Sequence, residues 1–113
     1  MKLSELKKAG GIVSDELVKK NIKWTRKIDE VEETLDFDVF IKRSRYGAIE
    51  RIQKNDDEAR SRISEIISQS IFLGEKGQEV LTYEDAYNLA PTLATAFIIA
   101  IHEVNGTSSN PKN

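Results

Sequence analysis

The chain has no cysteine, and that absence removes disulfides, thiolate metal sites and cysteine nucleophiles together. It fits a reducing compartment. Histidine is nearly absent too: His102 is the only one. A serine nucleophile needs a base beside it, and one histidine in an apolar stretch offers poor means for that. Its one adjacent carboxylate, Glu103, falls on a different helical face, so His102 reads as a structural residue near a helix C-terminus. Long apolar runs are also missing. The longest uncharged run, Ala86 to His102, contains Asn88, Pro91, Thr92 and Thr95. A membrane-spanning helix needs about 20 mainly apolar residues, so this run reads as a buried helix. Met1 to Lys8 lacks the apolar core of a secretory signal.

Two partial motifs fail on inspection. Gly74-Glu75-Lys76-Gly77 lacks the Gly-Lys-Ser/Thr ending of a phosphate-binding loop and joins no strand to a helix. The acids between Asp29 and Asp38 lack the turn glycine and spacing of a calcium loop, and on a strand they would alternate between faces. The residues therefore point to a protein that is not an enzyme, with no metal and no cofactor.

What is present is a charge pattern. Charged residues make up 32% and hydrophobic residues 39% of 113 residues, the balance of one small soluble domain. Net charge is −2 and unevenly spread: Lys19 to Lys27 holds five bases and no acid, Asp29 to Asp38 six acids and no base. Laid antiparallel, the two runs explain each other. One face pairs Ile28 with Val31, Arg26 with Glu33, Trp24 with Leu35 and Ile22 with Phe37. The other pairs Lys27 with Glu32, Thr25 with Thr34 and Lys23 with Asp36. Each such pair is worth roughly 0.2–1 kcal/mol, so their agreement fixes the register of a β-hairpin. Asp29 suits a two-residue primed turn and Glu30 does not, while a four-residue loop keeps the same pairs. The second strand is expected to outrun its partner, with Leu35, Phe37, Val39 and Ile41 alternating and Phe40 on the opposite face.

Around the hairpin the pattern is helical. Ser4 is placed to cap a short turn ended by Gly10-Gly11, and Ser14 to cap a second from Asp15 to Lys20. Ser44 is placed to cap a helix carrying Tyr46, Ile49 and Ile52 on one face. Asn55, Asp56 and Asp57 mark a break and a new cap. Ala59, Ile63, Ile66, Ile67 and Ile71 then follow helical spacing up to Gly74. Val80-Leu81 suits a very short strand, and Thr82 with Asp85 resembles a capping box. Pro91 opens a last helix with Leu93, Phe97, Ile101 and Val104 as its stripe and Asn105-Gly106 as its end. The expected fold is α+β: a hairpin of about 21–28 and 31–42 packed with helices of about 44–54, 57–73, 83–90 and 91–104. Residues 1–106 form one domain and 107–113 a disordered polar tail.

Trp24 and Phe37 fall on the apolar hairpin face and are assigned to the core. Phe40 on the polar face, Phe72-Leu73 at a helix end and Ile98 on one edge of the last helix are the candidates for partner-binding surface. A nucleic-acid-binding regulator is the alternative, using Lys19, Lys20, Lys23, Arg26 and Lys27, or Lys42, Arg43 and Arg45. An acidic pI near 5.5 argues against it.

The layout resembles a known family. A hairpin containing "IKW" and "LDFDVFIKR" precedes a helix, a polar break, the segment "ISQSIFLGEKGQEVLTYEDAYNLAP" and a closing "LATAFIIAIHEVNG". Over residues 3–106 this is similar to the siphophage tail assembly chaperones, the short G-type proteins of lambda-like and related phages. The resemblance implies a protein of the host cell cytoplasm that binds the tape measure protein, keeps it soluble and is absent from the mature virion. It also implies recruitment of the major tail protein through a longer, frameshifted form. A structural tail-completion protein is a further alternative. The apolar last helix can bury itself in the core or seal a homo-oligomer.

Overall fold

The hairpin is the frame of the molecule. A computed structural model describes residues 1–54 and 61–106 of the chain. β1 (Leu17–Ile28) and β2 (Val31–Lys42) pair antiparallel, and all seven facing pairs expected from the charge pattern are formed. Asp29 and Glu30 both take positive φ, 51° and 68°, which is the two-residue primed turn rather than a four-residue loop. A glutamate there costs roughly 1–2 kcal/mol, which the cross-strand pairs offset.

The ladder runs further than expected on the first strand. It continues to Leu17 opposite Lys42, so β2 does not outrun its partner, and the short helix expected from Asp15 to Lys20 is not formed. Val18 and Lys20 instead face Ile41 and Val39. A six-residue helix is marginal alone, whereas these residues extend a ladder already in register. Ser14 accepts a local hydrogen bond from the Glu16 amide at 3.4 Å.

One face of the hairpin carries the core. Ile22, Val39 and Ile41 are buried on it against Phe97, Ala100 and Ile101 of α5 (Pro91–Val104). Pro91 opens that helix and Asn105 caps its end, as its sequence requires. Phe37 meets Phe97 edge-on, ring centres 6.5 Å apart. Trp24, half-buried rather than fully core, donates its indole N–H to Thr92 Oγ1 at 2.8 Å. At the turn, Ile28 and Val31 are exposed.

Two short helices cap differently from what their sequences suggest. α1 (Leu3–Lys8) is preceded by Lys2, so Ser4 lies inside it. α2 (Tyr46–Gln53) is preceded by Arg45 with no side-chain cap. Ser44 instead donates its amide to Asn105 Oδ1 at 2.8 Å, tying the end of β2 to the end of α5.

The stretch expected as one helix over 57–73 divides. α3 (Arg62–Ser70) is capped by Ser61, whose Oγ accepts from the Ser64 amide. It gives way to β3 (Ile71–Leu73), which pairs with β2: Ile71 opposite Ile41 and Phe72 opposite Phe40. Helical spacing reaches Ile71, but the open edge of β2 gives this β-branched residue a partner and full burial. The break and cap at Asn55, Asp56 and Asp57, the position of Ala59 and the tail 107–113 lie outside the described residues. β4 (Glu79–Val80) completes a sheet of order β1-β2-β3-β4. α4 (Tyr83–Tyr87) is capped by Thr82 accepting from the Asp85 amide at 3.1 Å, and it ends before Ala90.

The turn between β3 and β4 closes over the outer face of the sheet. Gly77 has φ 75°, and a Cβ there would stand 2.8 Å from Phe40 Cβ and 2.9 Å from Leu17 Cδ1. Gly77→Ala therefore carries both a backbone and a packing cost. Urea denaturation is expected to show a loss of roughly 2–3 kcal/mol, and an unchanged midpoint would mean the turn yields freely.

Candidate functional site

Three helices leave a cleft between them. α2 contributes Ala48, Ile49 and Ile52, α3 contributes Ile66, Gln69 and Ser70, and α5 contributes Ile101 and His102 with its cap Asn105. Within each helix these positions fall on one face, because residues three and four apart are neighbours there. The end of β2 and the link to α2 close the fourth side with Lys42, Arg43, Ser44 and Arg45. The cavity is about 620 Å³. Its floor is buried, with Ile52 and Ile101 at 6% and 5% exposure, while Ile49 stands at the mouth at 37%.

The rim is basic. Lys42, Arg43 and Arg45 line the cleft and no aspartate or glutamate does so among the described residues. The N-terminal segment reaches these cations from outside. Asp15 pairs with Arg45 and lies 3.9 Å from Lys42 Nζ. Arg45 also donates to the Val13 carbonyl at 3.3 Å, and Arg43 to the Gly10 carbonyl at 3.2 Å. The Asp15 side chain is 80% exposed, so these contacts are weak in energy and easily exchanged.

The residues singled out from the sequence fall into two places. Phe40 and Phe72 face each other across β2 and β3 on the outer side of the sheet, half-buried, with Val80 opposite Phe72 and well exposed. Leu73 and Ile98 are half-buried and pack against the core. The first pairing was hidden in the sequence because Phe72 follows directly on helical spacing that reaches Ile71, and so reads as a helix end. The cleft was missed for a related reason. Ile49 and Ile52 were visible as one helical face, but sequence alone offers no way to tell a face that packs from a face that lines a gap.

Of the two sets of bases weighed for nucleic acid, Lys42, Arg43 and Arg45 meet at the rim of the cleft, whereas the hairpin set is split between two faces. Lys19, Lys23 and Lys27 point to the outer face, where Lys23 and Lys27 face Asp36 and Glu32. Lys20 and Arg26 point to the inner face. There Lys20 lies 3.8 Å from Glu103, while Arg26 donates to Glu33 and stacks 5.9 Å from the Trp24 ring. Among the described residues no group of three or more His, Asp or Glu could hold a metal ion, and no helix is long and apolar enough to cross a membrane.

Residues 4–105 match the family model described as phage tail assembly chaperone, TAC. No curated protein and no solved structure gives a match.

Proposed function

Because the chain belongs to the phage tail assembly chaperone family over nearly its whole length, we propose that it binds the tape measure protein and keeps it soluble while the tail is built. The observation that carries this reading is the family match over residues 4–105. The surface suits such a role, with an apolar cleft beside a basic rim and a second apolar patch at Phe40, Phe72 and Val80. A client whose long helices expose apolar stripes needs such surfaces, and a holdase needs no reacting groups.

In this reading the protein acts in the host cytoplasm and is left out of the finished particle. A longer, frameshifted form carries the interaction with the major tail protein. Phe40 and Phe72 contact the client from the outer sheet face. Leu73 and Ile98 support it from where the core reaches the surface.

Co-expression with the tape measure protein from the same genome tests this. The client is expected to be soluble and to co-purify with the chain, and to be insoluble alone. Phe72→Asp is expected to reduce the co-purified fraction severalfold while the melting curve stays cooperative. An insoluble client with or without the chain, or the chain found in purified virions by mass spectrometry, would overturn the proposal.

A further inference from the structure

The cleft has the form of a missing helix. Each of its three helical walls presents residues at three- and four-residue spacing: Ile49 and Ile52, Ile66 and Ser70, Ile101 and Asn105. Ridges spaced in this way mesh with the side chains of another helix, as in a four-helix arrangement. A cavity of about 620 Å³ takes a few large apolar side chains from such a helix, not a folded domain. The flanks must suit the rim, which offers Lys42, Arg43 and Arg45 and, among the described residues, no carboxylate. Asp15 already occupies part of that rim from the chain's own N-terminal segment, through Arg45 and Lys42.

We propose that this cleft docks an amphipathic helix whose apolar stripe is flanked by acidic residues, and that Asp15 holds the rim in place of those acids until the partner displaces it. This deepens the chaperone reading above and rests on it for the identity of the natural partner. The chemistry of the occupant rests on the cleft alone. Apolar contact with Ile49, Ile52, Ile66 and Ile101 supplies the hold, and the rim selects the sign of charge and the orientation. Asp15 is a competitor in the same electrostatic site. Removing its charge frees two cations without touching the apolar floor.

Two synthetic helical peptides of about 14 residues test this, long enough for four turns. Both carry leucine at i, i+4, i+7 and i+11; one has glutamate on both flanks and the other lysine. The full chain is expected to bind the glutamate peptide at least tenfold more tightly by calorimetry, with NMR shifts centred on Ile49, Ile66 and Ile101. Asp15→Asn is expected to tighten that binding about two- to fivefold, the range of an exposed ion pair. Raising salt should narrow the difference between the peptides. Equal binding of the two peptides, or shifts confined to the outer sheet face, would overturn the proposal. So would binding of dodecanoate with neither peptide bound, which would make the cleft a lipid site. A chain that solubilises the tape measure protein but ignores both peptides overturns the cleft and leaves the chaperone reading standing. A chain that binds the glutamate peptide but not the tape measure protein does the reverse.

Discussion

Replacing Ile71 with alanine is expected to lower stability by roughly 2–5 kcal/mol, the range for truncating a large aliphatic side chain in a packed core. Ile71 is fully buried, stands opposite the equally buried Ile41, and sits where α3 turns into β3. Its truncation leaves a cavity between the sheet and the helices, in a place where neither can move without breaking the β2–β3 pairing. For a domain of this size the midpoint of thermal unfolding should fall on the order of 10–20 °C. Ile71→Val separates the strand from the helix that the spacing suggested. Valine keeps the β-branch and most of the volume, so in a strand it should cost only about 0.5–1.5 kcal/mol. In an exposed helical end the order would reverse, since alanine is the better helix former. Equal, small losses for both variants would show that position 71 does not pack as described.

That reversal marks the limit of what was legible. The hairpin could be read from residues alone because its information is pairwise and local: Lys27 with Glu32, Thr25 with Thr34 and Trp24 with Leu35 are all within a few residues of the turn. Pro91, Thr82 and Asn105 were legible for the same reason, since caps act within one turn of helix. Ile71 and Leu17 were not. Their strand character comes from partners far along the chain, Ile41 and Lys42, and no window around either residue contains that partner. Ser44 fits the same account. Its neighbours suggested a cap, but its amide is held by Asn105, 61 positions away. The cleft was the least legible feature, because a gap is a property of three helices together and leaves no mark on any one of them.

On the docking proposed for the cleft, Ile49→Asp is expected to abolish most of the hold on the proposed client while leaving the fold intact. The side chain stands at the mouth of the cleft, 37% exposed, on a helix whose one buried residue is Ile52. In the free protein the new carboxylate stays hydrated, so the cost to stability should be about 0.5 kcal/mol, mostly helix propensity. In the complex it would be pressed against an apolar stripe without a partner and repelled by acidic flanks. An unpaired charge in that position costs well over the roughly 1.4 kcal/mol that corresponds to tenfold in affinity. Pull-down of the tape measure protein should therefore fall by at least tenfold. Two further isoleucines frame the result. Ile63, 59% exposed on α3 and outside the cleft, should tolerate aspartate with binding and melting unchanged. Ile52, 6% exposed, should not tolerate it at all, because there the charge is buried in the free protein and the fold fails. Loss of binding at Ile49 without loss of structure, bracketed by these two, assigns client contact to the cleft. Full binding by Ile49→Asp would remove the cleft from the client contact and leave it to the Phe40–Phe72 patch alone.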